Sequence, residues 1–282
     1  MRFARIATQA GPRFARADGE VWRIVEGDPF GALSNGSQAD TESVVSMEAA
    51  RLLSPSVPQV VLGMAHNAAP AGTGLPAQAF LKSARTVAGT GDDIVVDERL
   101  GTTNVEGELA VVIGRHARNL TRSNALEAVF GLTIGNDVTA AGQNDIDPLL
   151  TQSKNGDGYT PLGPWIDTDL TDMDARGLRV IVDGELVARG STAGLVRGVI
   201  DQLVYVTSYM TLGPGDVVLG GCPDVLAPVT AGQLVRIEID GIGALENPVR
   251  SLDHGAGASG QPGASGQLGA SNQKETSDAT VN

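Results

Sequence analysis

Apolar residues occur along the chain in short runs that Gly, Asp and Pro interrupt repeatedly. Residues 60–62 and 109–113 are apolar at consecutive positions, which is typical of strands buried on both faces. Residues 178–189 place Asp183 and Gly184 between two β-like runs, the commonest signal for a short hairpin. With 37 glycines and only 4% aromatic residues, this pattern predicts an α+β protein that is mostly β.

Two segments have helical rather than alternating spacing. Residues 195–212 carry apolar side chains three and four positions apart, which predicts an amphipathic helix that faces the core. Residues 122–130 end before Gly131, a residue suited to a left-handed helix cap, so we predict a second, shorter helix there.

Turn-rich and Pro-bounded stretches divide the chain into three parts. We predict a small N-terminal domain over residues 1–55 and a larger main domain over residues 56–252. Residues 253–282 are rich in Gly, Ser and Gln and poor in bulky apolar residues, so we predict a disordered tail.

Bulk properties restrict the partners of the protein. A net charge of −13 on 282 residues would repel a phosphate backbone, so we expect no nucleic-acid partner. The single cysteine, Cys222, excludes an intrachain disulfide and fits a cytoplasmic location. No run approaches the roughly 20 apolar residues that cross a bilayer, and we predict neither a signal peptide nor a membrane span.

Three acidic residues stand out within the apolar runs. Glu106 and Glu108 lie two apart on a predicted strand and therefore on the same face, with Gly107 between them. That face continues as apolar residues, and Asp137 follows a second apolar segment. Carboxylates crowded beside a core need a cation, or one of them takes up a proton. Spacing alone leaves open a solvated strand edge with Asp137 in a turn.

Four motifs resolve these alternatives by resemblance. The segments TNVEGELAVVIG, GLTIGNDVTA, SKNGDGYTPLGPW and TLGPGDVVLGGCP occur in the order seen in the fumarylacetoacetate hydrolase superfamily, and the similarity extends over nearly all of residues 57–250. The resemblance implies a mixed β-roll around a central metal pocket. It also implies a homodimer and one divalent cation, Mg²⁺ or else Mn²⁺ or Ca²⁺, bound by Glu106, Glu108 and Asp137.

The same resemblance suggests the residues that handle substrate. Lys154 matches a family lysine near the metal and would neutralise a developing oxyanion. Gln143 and Asp157 fall in motif segments and are candidates for substrate contact or for holding loops. Cys222 occupies the place of a pocket-lining threonine and is expected to be a buried thiol. Lys82 either pairs with a carboxylate or is exposed.

The chain departs from the family pattern in the lid segment after the first buried strand. Hydrolytic members have a histidine and a glutamate there that activate water. Read without gaps, the histidine position falls on Ala69; with an earlier shortening, His66 takes its place but the glutamate is missing. His66 is therefore a candidate catalytic residue or a hydrogen-bonded turn residue.

The resemblance implies an enzyme that acts on a small 2-oxo or 2,4-dioxo carboxylic acid through a metal-stabilised enolate. The leading hypothesis is a hydrolase or lyase that cleaves a C–C bond of an acylpyruvate-like substrate. The alternatives are an oxaloacetate-type decarboxylase or hydroxydienedioate isomerase, which need less of a lid base. A third alternative is a non-catalytic protein that binds metal and a 2-oxo acid.

Overall fold

The computed structural model describes residues 1–31 and 39–253 as a mostly β protein. The strands are β1 (Arg2–Thr8), β2 (Gly11–Asp18), β3 (Val21–Val25), β4 (Asp40–Ser46), β5 (Leu52–Leu53), β6 (Val61–Ala65), β7 (Gln78–Lys82), β8 (Val87–Ala88), β9 (Ile94–Val96), β10 (Thr103–Ile113), β11 (Val129–Asn136), β12 (Thr139–Ala140), β13 (Thr160–Asp167), β14 (Gly177–Val182), β15 (Glu185–Ser191), β16 (Val217–Leu219), β17 (Leu226–Val229), β18 (Leu234–Ile239) and β19 (Gly243–Ser251). An α-helix spans Val199–Tyr209. Short 3₁₀ helices span Ala84–Thr86, Glu98–Leu100, Ala125–Ala128, Ala141–Gln143 and Thr192–Gly194.

Two mixed sheets contain these strands. The larger sheet follows the order β4-β3-β2-β1-β13-β11-β10-β16-β6-β7, and the smaller one the order β15-β14-β18-β19-β9. Most pairs are antiparallel, but β16 pairs parallel with β6, β19 with β9 and β13 with β8. Because β1 pairs with β13, the strands of the first 55 residues continue the larger sheet.

Strand β10 is the structural centre of the site. Its carboxyl-terminal half is buried on both faces, with Ala110 and Val112 in one apolar cluster and Leu109 and Val111 in another. The strand pairs along its length with β11, β12, β16 and β17. A strand with neighbours on both edges and side chains packed on both faces holds its backbone in a fixed position.

Most of the local predictions match the structure. The mostly β class, the buried strand at residues 109–113 and the hairpin at Asp183 and Gly184 are all present. Both turn residues have positive φ, 51° and 85°, as a type I′ hairpin turn requires. The predicted 195–212 helix is shorter, Val199–Tyr209, and buries Leu203 and Val206.

The predicted helix over residues 122–130 is wrong. Only Ala125–Ala128 form a 3₁₀ helix, and Val129 already begins strand β11. Gly131 is therefore not a helix cap. It lies inside β11, where a Cβ would collide with the Asp167 carbonyl oxygen of β13, so the glycine serves a close approach of two strands. The predicted tail at residues 253–282 falls, beyond Asp253, outside the described residues.

Candidate metal and substrate site

Two adjacent strands deliver the three carboxylates. Glu106 and Glu108 project from one face of β10, and Asp137 follows the end of β11. The antiparallel register places Gly107 opposite Asn136, and the Asp137 N–H donates to the Glu106 carbonyl at 3.0 Å. As a result, one carboxylate oxygen from each residue lies within 4.8 Å of the others.

Hydrogen bonds fix the two glutamates. The Thr139 hydroxyl donates to Glu106 Oε1 at 2.6 Å, and the Gly221 N–H donates to Glu108 Oε2 at 2.7 Å. The Asn136 side chain accepts the Glu106 N–H at 3.0 Å and so holds the backbone beside the cluster. Each glutamate keeps a second carboxylate oxygen that these bonds do not use.

Two lysines bracket Asp137. Lys82 Nζ donates to Asp137 Oδ1 at 2.5 Å and to the Val138 carbonyl at 3.3 Å. Lys154 Nζ donates to Asp137 Oδ2 at 2.5 Å and lies 3.5 Å from Glu106 Oε2. The Lys154 ammonium also lies 4.9 Å from the centre of the Phe80 ring, a cation–π contact. Lys82 has a fully buried side chain and Lys154 is 8% exposed.

Burial perturbs the ionisation of the cluster. Burial, with the nearby charges of Asp137 and Glu106, raises the pKa of Glu108 well above its ordinary value. Burial also raises the pKa of Glu106. Burial alone would raise the pKa of Asp137 as well, but Lys82 and Lys154 lower it. The two glutamates are therefore costly to ionise without a further positive charge.

The donor set fits a hard divalent cation. Carboxylate oxygens are the ligands that Mg²⁺, Mn²⁺ and Ca²⁺ prefer, and the ligand atoms need only small movements to converge on one ion. Three carboxylates and two ammonium groups leave one net negative charge in a buried site, which a divalent cation converts to one net positive charge. Glu106, Glu108 and Asp137 would hold that ion.

The cluster lies in a cavity of about 870 Å³. Glu108 and Asp137 are each 2% exposed, so they mark its closed end. Leu149, on the loop before Lys154, lines the same cavity and is 82% exposed. The cavity therefore runs from a charged, buried end to an open end with apolar side chains.

His66 lines this cavity and is exposed. Its backbone has a φ of 50°, in the left-handed region that histidine visits more often than most residues. The following residue anchors the loop, because the Asn67 side chain donates to the Arg197 and Gly220 carbonyls and accepts the Arg197 N–H. At the far end of the loop, the Arg197 side chain donates to the Leu75 carbonyl.

The other candidate residues separate into two groups. Cys222 lines the cavity, and burial, with the charges of Glu106 and Glu108, raises the pKa of its thiol. Gln143 and Asp157 do not line it. The Gln143 amide donates to the Leu100 carbonyl, and the exposed Asp157 uses its carbonyl to accept the Val95 N–H. Both positions hold loops in place in this structure.

Several contacts of the site are absent from the sequence predictions. Thr139 lies two residues after Asp137 in extended backbone, and this spacing could have predicted that its hydroxyl lies near the cluster. The Gly221 N–H and the Asn67 side chain reach the site from distant parts of the chain. Nothing local marks them, because their contacts are set by tertiary packing.

Comparisons with known proteins agree with the fold. Residues 56–250 match the family model for the fumarylacetoacetate (FAA) hydrolase C-terminal region, and residues 1–55 match the model "Rv2993c-like, N-terminal". Protein Rv2993c of Mycobacterium tuberculosis is 34% identical over 264 residues, 88% of this chain and 98% of that protein. The maleylpyruvate hydrolase of Aquipseudomonas alcaligenes is 35% identical over 61% of this chain and 60% of its own.

A solved structure is similar over most of the chain. The 5-carboxymethyl-2-hydroxymuconate delta-isomerase of Mycobacterium smegmatis has a TM-score of 0.83 and 34% identity, covering 89% of this chain and 100% of its own. The last two of these proteins have names that assign an enzyme activity, one a hydrolase and one an isomerase. With a family model that spans 56–250, the chain belongs to the fumarylacetoacetate hydrolase family.

Proposed function

We propose that the protein is a metal-dependent hydrolase or lyase that cleaves a C–C bond of a small 2,4-dioxo carboxylic acid. The observation that carries the proposal is the cluster of three carboxylates, within 4.8 Å of one another, at the closed end of a cavity. When bound, the cation supplies Lewis-acid polarisation of the substrate's 2-oxo group and a fixed point for its carboxylate.

In hydrolysis, the elements of water add across the C3–C4 bond of the 2,4-dioxo acid. The hydroxyl goes to C4 and the proton to C3, which gives pyruvate and a second carboxylic acid. Negative charge develops on the 2-oxo oxygen and on C3 while the bond breaks. A group that stabilises this charge in the buried end of the cavity lowers the barrier.

We assign this role to Lys154. Its ammonium lies at the cavity wall between Asp137 and Glu106, and those carboxylates, despite burial, raise its pKa. Lys154 therefore stays charged and can turn a proton toward an oxyanion. Lys82 lies behind Asp137 and does not line the cavity, so we assign it the task of holding Asp137.

His66 is the candidate for proton transfer. Of the described residues that line the cavity, it is the one histidine, and the carboxylates there are the three of the cluster. In the described part of the chain, the cavity lining thus has no further carboxylate, outside the cluster, that could orient an activated water. This feature favours a second candidate, isomerisation or decarboxylation of a related 2-oxo acid, which needs no such water.

A metal-dependence assay tests the proposal. Chelated protein, given Mg²⁺ or Mn²⁺, should cleave acetylpyruvate, or decarboxylate oxaloacetate if the second candidate holds, and Glu108→Gln should reduce turnover about a hundredfold or more because it removes a charged ligand. Glu42→Gln, an exposed glutamate on β4, is the matched control and should retain full activity. Turnover that persists without divalent ions would contradict the proposal.

A second pair of variants tests the role of His66. His66→Ala should lower kcat on acetylpyruvate about a hundredfold or more, as loss of a general acid or base does. His116 is also exposed but does not line the cavity, so His116→Ala should behave as wild type. Full activity in His66→Ala would remove His66 from the mechanism.

The choice of Mg²⁺ as the resident ion, a homodimeric assembly and a cytoplasmic location remain predictions. Elemental analysis of protein purified without added metal and sedimentation velocity test the first two. Among the described residues, no helix has the length and apolar composition needed to cross a bilayer.

A further inference from the structure

We infer that the substrate carries a single carboxylate and an uncharged, apolar tail. This inference rests on the proposed function and specifies the substrate class of the same site. It is not inherited from the relatives, because maleylpyruvate and 5-carboxymethyl-2-hydroxymuconate each carry more than one carboxylate.

The first argument is the charge of the closed end of the cavity. Glu106, Glu108 and Asp137 face the two ammonium groups of Lys82 and Lys154. With one divalent cation bound, the group carries one net positive charge. One substrate carboxylate neutralises it, and a buried site that ends neutral avoids the cost of an uncompensated charge.

The second argument is the lining of the open end. Apart from Lys154, no lysine or arginine among the described residues lines the cavity. The lining beyond the carboxylates includes the bulky apolar side chains of Met64, Phe80, Leu81, Leu149, Leu150 and Leu226, together with the polar side chains of His66, Asn67, Gln78, Asn144 and Thr151. A second carboxylate that lies against these apolar side chains would lose part of its hydration without gaining a lysine or arginine partner.

The third argument is where these apolar side chains lie. Leu226 is opposite Glu106 in the pairing of β10 with β17, and the Phe80 ring contacts the Lys154 ammonium. Apolar surface therefore begins directly beside the charged cluster. A substrate whose carboxylate and 2-oxo group reach the cluster must lay its remaining atoms along this surface.

Leu149 supports the same conclusion. It is 82% exposed although it lines the cavity, and Leu81 and Leu226, which are 56% and 45% exposed, line the same cavity. Exposed apolar side chains grouped around one cavity are typical of sites for apolar ligands. Ile146 lies on the same loop and is 74% exposed, but it does not line the cavity. The pair provides a matched comparison.

The test compares the binding of two unreactive six-carbon acids to the Mg²⁺-loaded protein by calorimetry. 2-Oxohexanoate ends in a methyl group, and 2-oxohexanedioate ends in a carboxylate. We expect 2-oxohexanoate to bind at least tenfold more tightly. We also expect affinity to rise from pyruvate to 2-oxohexanoate by up to roughly fourfold per methylene.

A lysine introduced into the cavity lining should shift the ratio of the two affinities toward the dicarboxylate. Leu149→Lys should improve the binding of 2-oxohexanedioate relative to 2-oxohexanoate by about three- to fivefold, the size expected of a partly exposed ion pair. Ile146→Lys should leave the ratio within about twofold of wild type. Both substitutions are on an exposed loop, so loss of folding does not confuse the comparison.

The outcomes separate this inference from the proposed function. If pyruvate binds only with Mg²⁺ but 2-oxohexanedioate binds as tightly as 2-oxohexanoate, the site is a 2-oxo acid site and the inference is wrong. In that case a cationic side chain that does not line the cavity in this structure would contact the second carboxylate of 2-oxohexanedioate. If no 2-oxo acid binds with or without Mg²⁺, both the inference and the proposed function are overturned.

Discussion

Asp137 has two competing roles, as the hydrogen-bond acceptor of two lysines and as a candidate metal ligand. Each of its oxygens accepts a 2.5 Å hydrogen bond from a lysine, and it is also one of the three candidate ligands. The Lys82 side chain is fully buried, whereas Lys154 lines the cavity. Of the two lysines, Lys154 is therefore the one that could turn from Asp137 toward a substrate in the cavity, as the proposed function requires.

Removal of Lys82 should destabilise the metal-free protein strongly. In Lys82→Met, a buried carboxylate cluster loses one of its two cations, and the free energy of unfolding should fall by about 3–5 kcal/mol. Urea denaturation measures it. The control Arg179→Met breaks partly exposed pairs with Glu238 and Asp240 and should cost less than about 1 kcal/mol. If Lys82→Met and Arg179→Met both cost less than about 1 kcal/mol, the buried ion pair between Lys82 and Asp137 would be contradicted.

The raised pKa of Glu108 predicts how stability depends on pH. The folded state binds the proton of this carboxyl more tightly than the unfolded state does. In metal-free protein, the stabilising contribution is therefore present at low pH. It is lost as pH rises from about 4.3, the unfolded value, through the raised pKa of the folded state.

Chemical denaturation of chelated protein between about pH 5 and pH 7 tests this dependence, since an unfolded glutamate has already lost its proton there. Wild type should lose stability relative to Glu108→Gln as pH rises, because the glutamine has no proton to release. A difference between the two proteins that is constant with pH, or that grows in favour of wild type, would contradict the assigned shift.

At the scale of elements, the sequence is most informative where local pattern and tertiary context agree. Strand β10 is an example: its Glu106–Gly107–Glu108 alternation, the apolar run that follows and its family motif all indicate a strand that carries a carboxylate pair and is buried beyond it. The hairpin at Asp183 and Gly184 is a second example, because the turn depends only on local backbone conformation.

The sequence is least informative where distant parts of the chain decide the conformation. Residues 122–130 have helical spacing, but β11 must begin at Val129 to fill the sheet between β10 and β13. For the same reason, the sequence left open whether Lys82 pairs with a carboxylate. Its partner, Asp137, is 55 residues away, and only the sheet brings them together.

Gly131 gives a test of the close approach between β11 and β13. In Gly131→Ala, the new methyl group would collide with the Asp167 carbonyl oxygen, a backbone atom, so we expect a loss of about 1–3 kcal/mol of stability. Thermal and urea unfolding measure this loss. Gly31→Ala, where the Cβ meets open space, should change stability by less than about 0.5 kcal/mol. If the two variants are equally stable, the strands are farther apart than described.

At the scale of the whole molecule, the candidate metal site lies inside the fold, at the closed end of its cavity. The ligands come from β10 and the end of β11, and the larger sheet that contains both strands also includes the strands of residues 1–55. Ion binding should therefore stabilise the entire described fold. A ligand that binds only the folded state raises stability by about 2.7 kcal/mol at a hundred times its dissociation constant.

Thermal unfolding with and without Mn²⁺ measures that coupling. We expect a higher midpoint with the ion, and a return to the metal-free midpoint when a chelator is added. The Glu108→Gln variant should show little of this shift. A midpoint that does not respond to divalent ions in the wild-type protein would mean that the carboxylate cluster and the fold are not coupled through an ion.

The most direct test of the central claim is a calorimetric titration of chelated protein with Mn²⁺. The claim is that Glu106, Glu108 and Asp137 hold one divalent cation per chain. We predict one tight site per chain, and at least a hundredfold weaker binding in Glu108→Gln but not in Glu42→Gln. No saturable binding in wild type, or equal affinity in Glu108→Gln, would contradict it.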